Sequence, residues 1–321
     1  MADIEAIGHQ LAETLSRYSA DYIEAHLEES QTSHIIYRGK ELESIDRTTA
    51  VGGNVRALVR GGWGFASFNN LDELPSRVEL AVKQAQFVGN EESKLAKVEP
   101  VVDTVLAEEG KNPLTMPLAE KKQLLDEYNE IIWSTPKIQT SFISYGDGHK
   151  KTIFLNSLGS YIKQEKTDIT LRLTAVATEG TEVQQAGLSL GSNGDFSLIQ
   201  GIHQQVEQMA QRAVELLSAP QVEGGEYTVV LDPVLAGVFA HEAFGHLSEA
   251  DFVYENDRMR QIMTLGKEFG SAELNIIDSA AMPGLRGSYN TTMKVCPLPK
   301  PTLSERVNLS DGSIPGKPPP R

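Results

Sequence analysis

The residues best suited to chemistry lie in the run His241-Glu242-Ala243-Phe244-Gly245-His246. Neutral imidazole nitrogens hold a divalent ion such as zinc at about 2.0–2.1 Å and leave a coordination position open for water. A carboxylate beside them can take a proton from that water, so this set of types is that of metal-assisted hydrolysis. The familiar protease arrangement separates its histidines by four positions, which puts both rings on one helical face. Here the separation is five, and at about 100° per residue the rings of a regular helix would stand roughly 140° apart. Convergence therefore requires a local widening or a break, and the sequence predicts a bulge or helix end at 243–246. Gly245 is where a distorted backbone costs least.

Two histidines and a base leave one protein ligand to be found. Glu249 and Asp251 follow the motif and read as the solvated end of its helix. Cys296 is the single cysteine in 321 residues. That count excludes an intramolecular disulfide framework and any Cys-rich zinc module within the chain. Cys296 itself sits in a proline-rich stretch without strand or helix period, and is expected to be a free thiol rather than a ligand.

The elements that must carry the motif can be read from periodicity. EYTVVLDP (226–233) is β-rich and leads into VLAGVFAHEAFGHLSEADF, which has helical propensity. Upstream, residues 3–19 are an amphipathic helix with Ile4, Ile7, Leu11 and Leu15 on one face. DYIEAHLEES, SHIIYRGKELESI and NVRALVRGGWGFASF read as strands, with turn glycines at Gly52–Gly53 and Gly61–Gly64. LDELPSRVELAVKQAQFVG is helical, residues 91–116 are extended, and a helix is expected at 117–133 behind Pro117. Residues 137–190 form an antiparallel meander, with Asp147-Gly148 as a hairpin turn, and 199–218 are helical again. Trp63 and Phe65 read as sheet packing rather than the lining of a peptide groove. Arg286 reads equally as a substrate contact or a surface ion pair.

Composition bounds the function classes. The net charge of −15 and pI near 5.0 oppose direct nucleic-acid contact, because affinity for phosphates comes largely from Lys and Arg. No apolar run reaches the roughly 18–20 residues of a membrane span. The first residues show no signal-peptide pattern, so a cytoplasmic location is expected.

HEAFGHLSEAD (241–251), RGGWGFAS (60–67) and LGKEFGSAELNIIDSAAMPGLRGSYN (265–290) together resemble the TldD/PmbA metallopeptidase family over residues 1 to about 290. The histidine-bearing helix places the resemblance with the TldD-like, zinc-motif-bearing subunits. The resemblance implies an α+β fold: N-terminal helices packed on a curved antiparallel sheet, then the start of a mostly β C-terminal domain. Expected domains are 1–90, a central α+β domain at 91–220, and a metalloprotease domain beginning at 221–290. By the same resemblance His241 and His246 are zinc ligands, Glu242 is the general base, and the remaining ligand is a cysteine of a further C-terminal region, absent from this chain. It implies hydrolysis of unfolded peptides or small proteins with a PmbA-like partner or as a homodimer. The alternatives are a non-catalytic pairing or scaffold subunit, or a protein-level modulator of DNA gyrase. Residues 291–321 read as a disordered tail: an adjacent reading frame permits a strand-turn-strand continuation, so a frameshift just after Asn290 is expected. A product ending there is expected to be inactive.

Overall fold

The computed structural model describes residues 4–89, 95, 99–107, 112–264, 266–271, 273–277, 282 and 284–288. The chain divides into two compact units, one holding residues up to 220 and residues 284–287, the other holding residues 221–282 and 288. Cys296 and the rest of 291–321 lie outside the described residues.

In the first unit, α1 (Ile4–Leu15) precedes three strands, β1 (Tyr22–Arg38), β2 (Glu41–Val59) and β3 (Gly62–Phe68), and then α2 (Leu74–Val88). β4 (Val102–Val105) and α3 (Leu118–Ser134) follow. Next come β5 (Ile138–Asn156), β6 (Tyr161–Glu179), β7 (Glu182–Ser192) and α4 (His203–Glu215). All seven strands share one sheet in the order β3-β2-β1-β5-β6, with β4 parallel and β7 antiparallel on the far side of β6. The sheet is thus continuous across residue 90, where the sequence suggests a domain boundary. It is mixed α+β and largely antiparallel, as expected.

Alternation explains where the core forms. Successive strand side chains face opposite sides, and Ile23, Ala25, Leu27, Ile35 and Tyr37 of β1 are all buried on one of them. α1 and α2 cover one end of that face, over Ile23–Leu27, Val55–Val59 and Ile153–Leu155. α3 and α4 cover the other, over Ile35, Tyr145 and Ile169–Ala177. Each fully buried Leu, Ile or Val contributes about 1.5–3 kcal/mol of transfer free energy, which offsets the ordering of these long strands. Between the two clusters lies a polar seam. Asp147 is buried there, accepting from Lys121 Nζ and from Tyr145 Oη, both at 2.5 Å. The loss of water around Lys121 lowers its pKa, an effect that outweighs the attraction of Asp147.

Three details differ from the sequence reading. β2 runs unbroken through Gly52–Gly53. Gly53 is a close-approach residue rather than a turn residue, since a Cβ there would lie 2.5 Å from His26 O and 2.6 Å from Phe68 Cζ. Asp147-Gly148 is interior to β5, paired with Ser33 and Thr32 of β1, not a hairpin tip. The expected strand at 226–233 is not a ladder strand: it carries no pairing, and Val230 is 99% exposed. β propensity alone cannot hold a strand without a hydrogen-bonded neighbour.

The second unit contains α5 (Pro233–Ala240), a π turn at His241–Gly245 and a 3-10 turn at His246–Ser248. α6 (Ala250–Glu255) and α7 (Asp257–Ile262) follow. Its described elements are helical, where the sequence suggests the start of a mostly β domain. No helix among the described residues is long and apolar enough to cross a membrane.

Candidate metal centre

The centre is built by the way α5 starts and stops. Asp232 caps its N-terminus, the side chain accepting from Leu235 N at 2.7 Å, with Pro233 in the first turn. After Ala240 the helix widens: the His246 N–H donates to His241 O, an i to i+5 bond that closes a π turn. This is the widening that the five-residue spacing demands. Phe244, inside the turn, packs toward Met259, Met263 and Phe269, its ring edge-on to that of Phe269 at 5.6 Å.

The two imidazoles consequently converge. Their ring centroids are 4.4 Å apart, and the ligand atoms of His241, Glu242 and His246 all lie within 4.8 Å of one another. His246 Nε2 is 3.8 Å from Glu242 Oε2. Its other nitrogen, Nδ1, is 2.6 Å from Glu249 Oε1. That carboxylate raises the pKa of His246, and Glu242 adds to the effect.

The donor set fits a zinc ion. Ligand atoms about 2 Å from one ion stand some 3–4 Å apart, a spacing that modest side-chain rotation reaches from the one observed. A ligating histidine characteristically gives its second ring nitrogen to a carboxylate, which fixes tautomer and ring orientation. Glu249 stands in that place. Sequence reasoning treats Glu249 as a solvated helix end; the signal available was its spacing, three residues after a candidate ligand, one helical turn away. Gly245 is not used as the sequence suggests. Its φ of −56° and ψ of −56° are ordinary helical values, and an added Cβ would meet nothing closer than 3.8 Å.

The other singled-out residues lie in the first unit. Trp63 sits beneath the Arg56 guanidinium at 4.4 Å, and Phe65 is 53% exposed on the sheet face away from the helices. Arg286 makes a two-pronged ion pair with Asp168 at 2.7 and 2.8 Å.

Three family models match: PmbA/TldA metallopeptidase domain 1 over residues 24–85, the central domain over 111–219, and the C-terminal domain over 224–303. The chain belongs to the PmbA/TldD metallopeptidase family. The third match runs past Asn290, the position from which the sequence suggests a change of frame. A metalloprotease of Synechocystis sp. is 40% identical over 311 residues, covering 96% of this chain and 66% of the relative. A zinc metalloprotease TldD homolog of Saccharolobus solfataricus is 25% identical, covering 72% of this chain and 50% of the relative. Hence the chain spans about two-thirds or less of these curated relatives. TldE from Thermococcus kodakarensis superposes with a TM-score of 0.68 at 15% identity, over 94% of this chain and 66% of that one. A Bacteroides thetaiotaomicron protein described as a candidate modulator of DNA gyrase gives a TM-score of 0.76 at 14% identity, over 96% and 71%. At such identities the likeness is one of fold.

Proposed function

We propose that this chain carries the zinc-binding, water-activating part of a TldD-like peptidase acting on unfolded peptides or small proteins. The reading rests on one observation: the π turn brings His241, Glu242 and His246 within reach of a single ion. His241 and His246 would hold that ion, with Glu249 orienting the His246 ring. When bound, zinc supplies Lewis acidity toward a carbonyl and a lowered pKa for water. Glu242, adjacent in sequence and exposed beside His246, is placed to accept the proton of the attacking water and to return it to the leaving amine. Relatives named metalloproteases support the peptidase reading. The third protein ligand is not among the described residues.

An extended peptide is the substrate this reading favours, because its backbone carbonyls are free to approach the ion and Glu242. We place the protein in the cytoplasm, acting with a PmbA-like partner or as a homodimer. The TldE fold match favours such pairing.

The test combines metal content with cleavage. Zinc is measured by mass spectrometry in the purified chain and in His246→Ala, and cleavage of an unfolded, quenched fluorogenic peptide is measured in wild type and Glu242→Gln. His246→Ala should lose zinc. Glu242→Gln should keep it, and any cleavage the wild-type chain shows, against the inactivity expected of a product ending after Asn290, should fall about a hundredfold or more. Zinc retained after both histidines are replaced, or cleavage undiminished in Glu242→Gln, overturns the reading. A pairing or scaffold subunit predicts no Glu242-dependent cleavage at all.

A further inference from the structure

The wide turn at His241–Gly245 has to be held open. A regular helix would bond the His246 N–H to Glu242 O and leave the two rings roughly 140° apart. Local backbone chemistry does not prevent that. Ala240 before the turn has φ −63° and ψ −39°, Gly245 within it has φ −56° and ψ −56°, and no proline interrupts it.

Packing around Phe244 can do so. In the second unit the described apolar side chains that are fully buried are Met259 and Met263, at 8% and 4% exposure. Phe244 is the residue of the π turn that packs against them, together with Val253, Ile262 and Phe269. Its ring meets that of Phe269 edge-on, at 5.6 Å and 70°. The seat is built without the histidines. Asn256 caps α7, its side chain accepting from the N–H groups of Arg258 and Met259. The Met263 N–H donates to Met259 O at 2.7 Å, which keeps the two methionines on one helical face.

Direction and register tie this seat to the turn. A bond from residue 241 to residue 246 brings those two side chains to one side, so residue 244, part-way round, points to the other. An α-helical turn in its place would rotate the chain that follows by about 100° relative to α5. That rotation would carry α6 and α7 away from Phe244. The buried seat and the wide turn therefore form together.

We infer that Phe244 is a positioning residue of the metal centre: wedged against Met259, Met263 and Phe269, it keeps the π turn wide and so sets the approach of His241 to His246. The inference rests on the zinc reading above, although the wedge itself touches no metal.

Metal titration tests it without recourse to cleavage. Zinc affinity is read by competition with a chromogenic chelator, and cobalt(II) serves as a second probe because its visible spectrum reports coordination geometry. Phe244→Ala should weaken zinc binding about tenfold or more and alter the bands of the cobalt-saturated chain. Phe244→Leu should restore both, since methionines repack around a smaller apolar group. Leu247→Ala removes an apolar side chain of the same motif that lies outside the cluster, and should change neither. Phe269→Ala covers the case in which Phe244→Ala unfolds α7, because it leaves the sequence of the turn intact; it should weaken binding in the same sense, and Phe269→Leu should recover it. Wild-type affinity and spectrum in Phe244→Ala or in Phe269→Ala overturn the inference alone, as does an equal loss in Leu247→Ala. A wild-type chain that takes up neither zinc nor cobalt overturns the metal reading and the wedge with it.

Discussion

At the scale of single residues, the histidine pair and Glu242 were legible because spacing and type alone required a wide turn, and the His246 N–H to His241 O bond supplies it. Glu249 was not, because a carboxylate at a helix end is what solvent alone would select. Its 2.6 Å contact with His246 Nδ1 is what the proposed zinc site would use to orient that ring. Glu249→Gln should therefore lower zinc affinity about 10–100-fold while His246 stays in place, read by competition with a chromogenic chelator. An unchanged affinity would remove Glu249 from the site. A second residue-scale case is Glu24, equally hidden from sequence. Burial by itself would raise its pKa, but the His26 ring 3.8 Å away, the hydrogen bond from Tyr22 and the charge of Arg56, 3.1 Å away, bring it below the ordinary carboxyl value. A depressed folded value means that the unfolded chain binds the proton more readily. The associated stability is complete above about pH 4.3, the ordinary value, and fades as pH falls through the folded one. Arg56→Ala, which removes a half-exposed guanidinium from the buried Glu24, should then cost about 1 kcal/mol at pH 7 and less at pH 3. Urea midpoints across that range would check it, and a gap independent of pH would assign the loss to stacking on Trp63 instead.

Elements were legible where periodicity carried them and illegible where a glycine has more than one use. The helices near 4–15, 74–88, 118–134 and 203–215 follow from apolar spacing. The glycines of RGGWGFAS divide into two kinds. Gly61 takes a φ of +83° in the β2–β3 turn, as a turn glycine should. Gly62 and Gly64 instead let α2 lie directly on the strand, and nothing local in the sequence separates these uses from those of Gly52–Gly53. A Cβ on Gly64 would lie 1.9 Å from Ala81 O, and on Gly62 2.4 Å from Ala85 O. Those neighbours are backbone and cannot rotate aside. Gly64→Ala should therefore push α2 off β3 and cost about 3 kcal/mol or more, whereas Gly180→Ala, with open space around it but a φ of +61°, should cost about 1 kcal/mol. Thermal or urea unfolding ranks the pair. Equal losses would mean that the helix does not sit on the β3 backbone.

For the whole molecule, the two units differ in how much they bury, and this sets what moves. The first holds two extensive clusters of residues at or near zero exposure. In the second, the described core is Met259 and Met263 with four partly buried neighbours. Val229, Val230, Val234 and Phe239 are 60% or more exposed. Sequence hydropathy could not reveal this contrast, since both stretches are rich in Val, Leu and Phe; what differs is whether a neighbour covers them. Local opening follows buried contacts, so amide exchange should be slowest in the central strands β1, β5 and β6 and markedly faster across 226–248. The candidate metal centre lies within that faster stretch, and ligand-bound states open less often than free ones. Added zinc should accordingly slow exchange at 241–249, leave β5 unchanged, and have no effect in a His241→Ala/His246→Ala variant. Exchange measured by mass spectrometry with and without zinc would check all three arms. Protection spread evenly over both units would show instead that the ion binds elsewhere, and the convergence of the two imidazoles would lose its functional meaning.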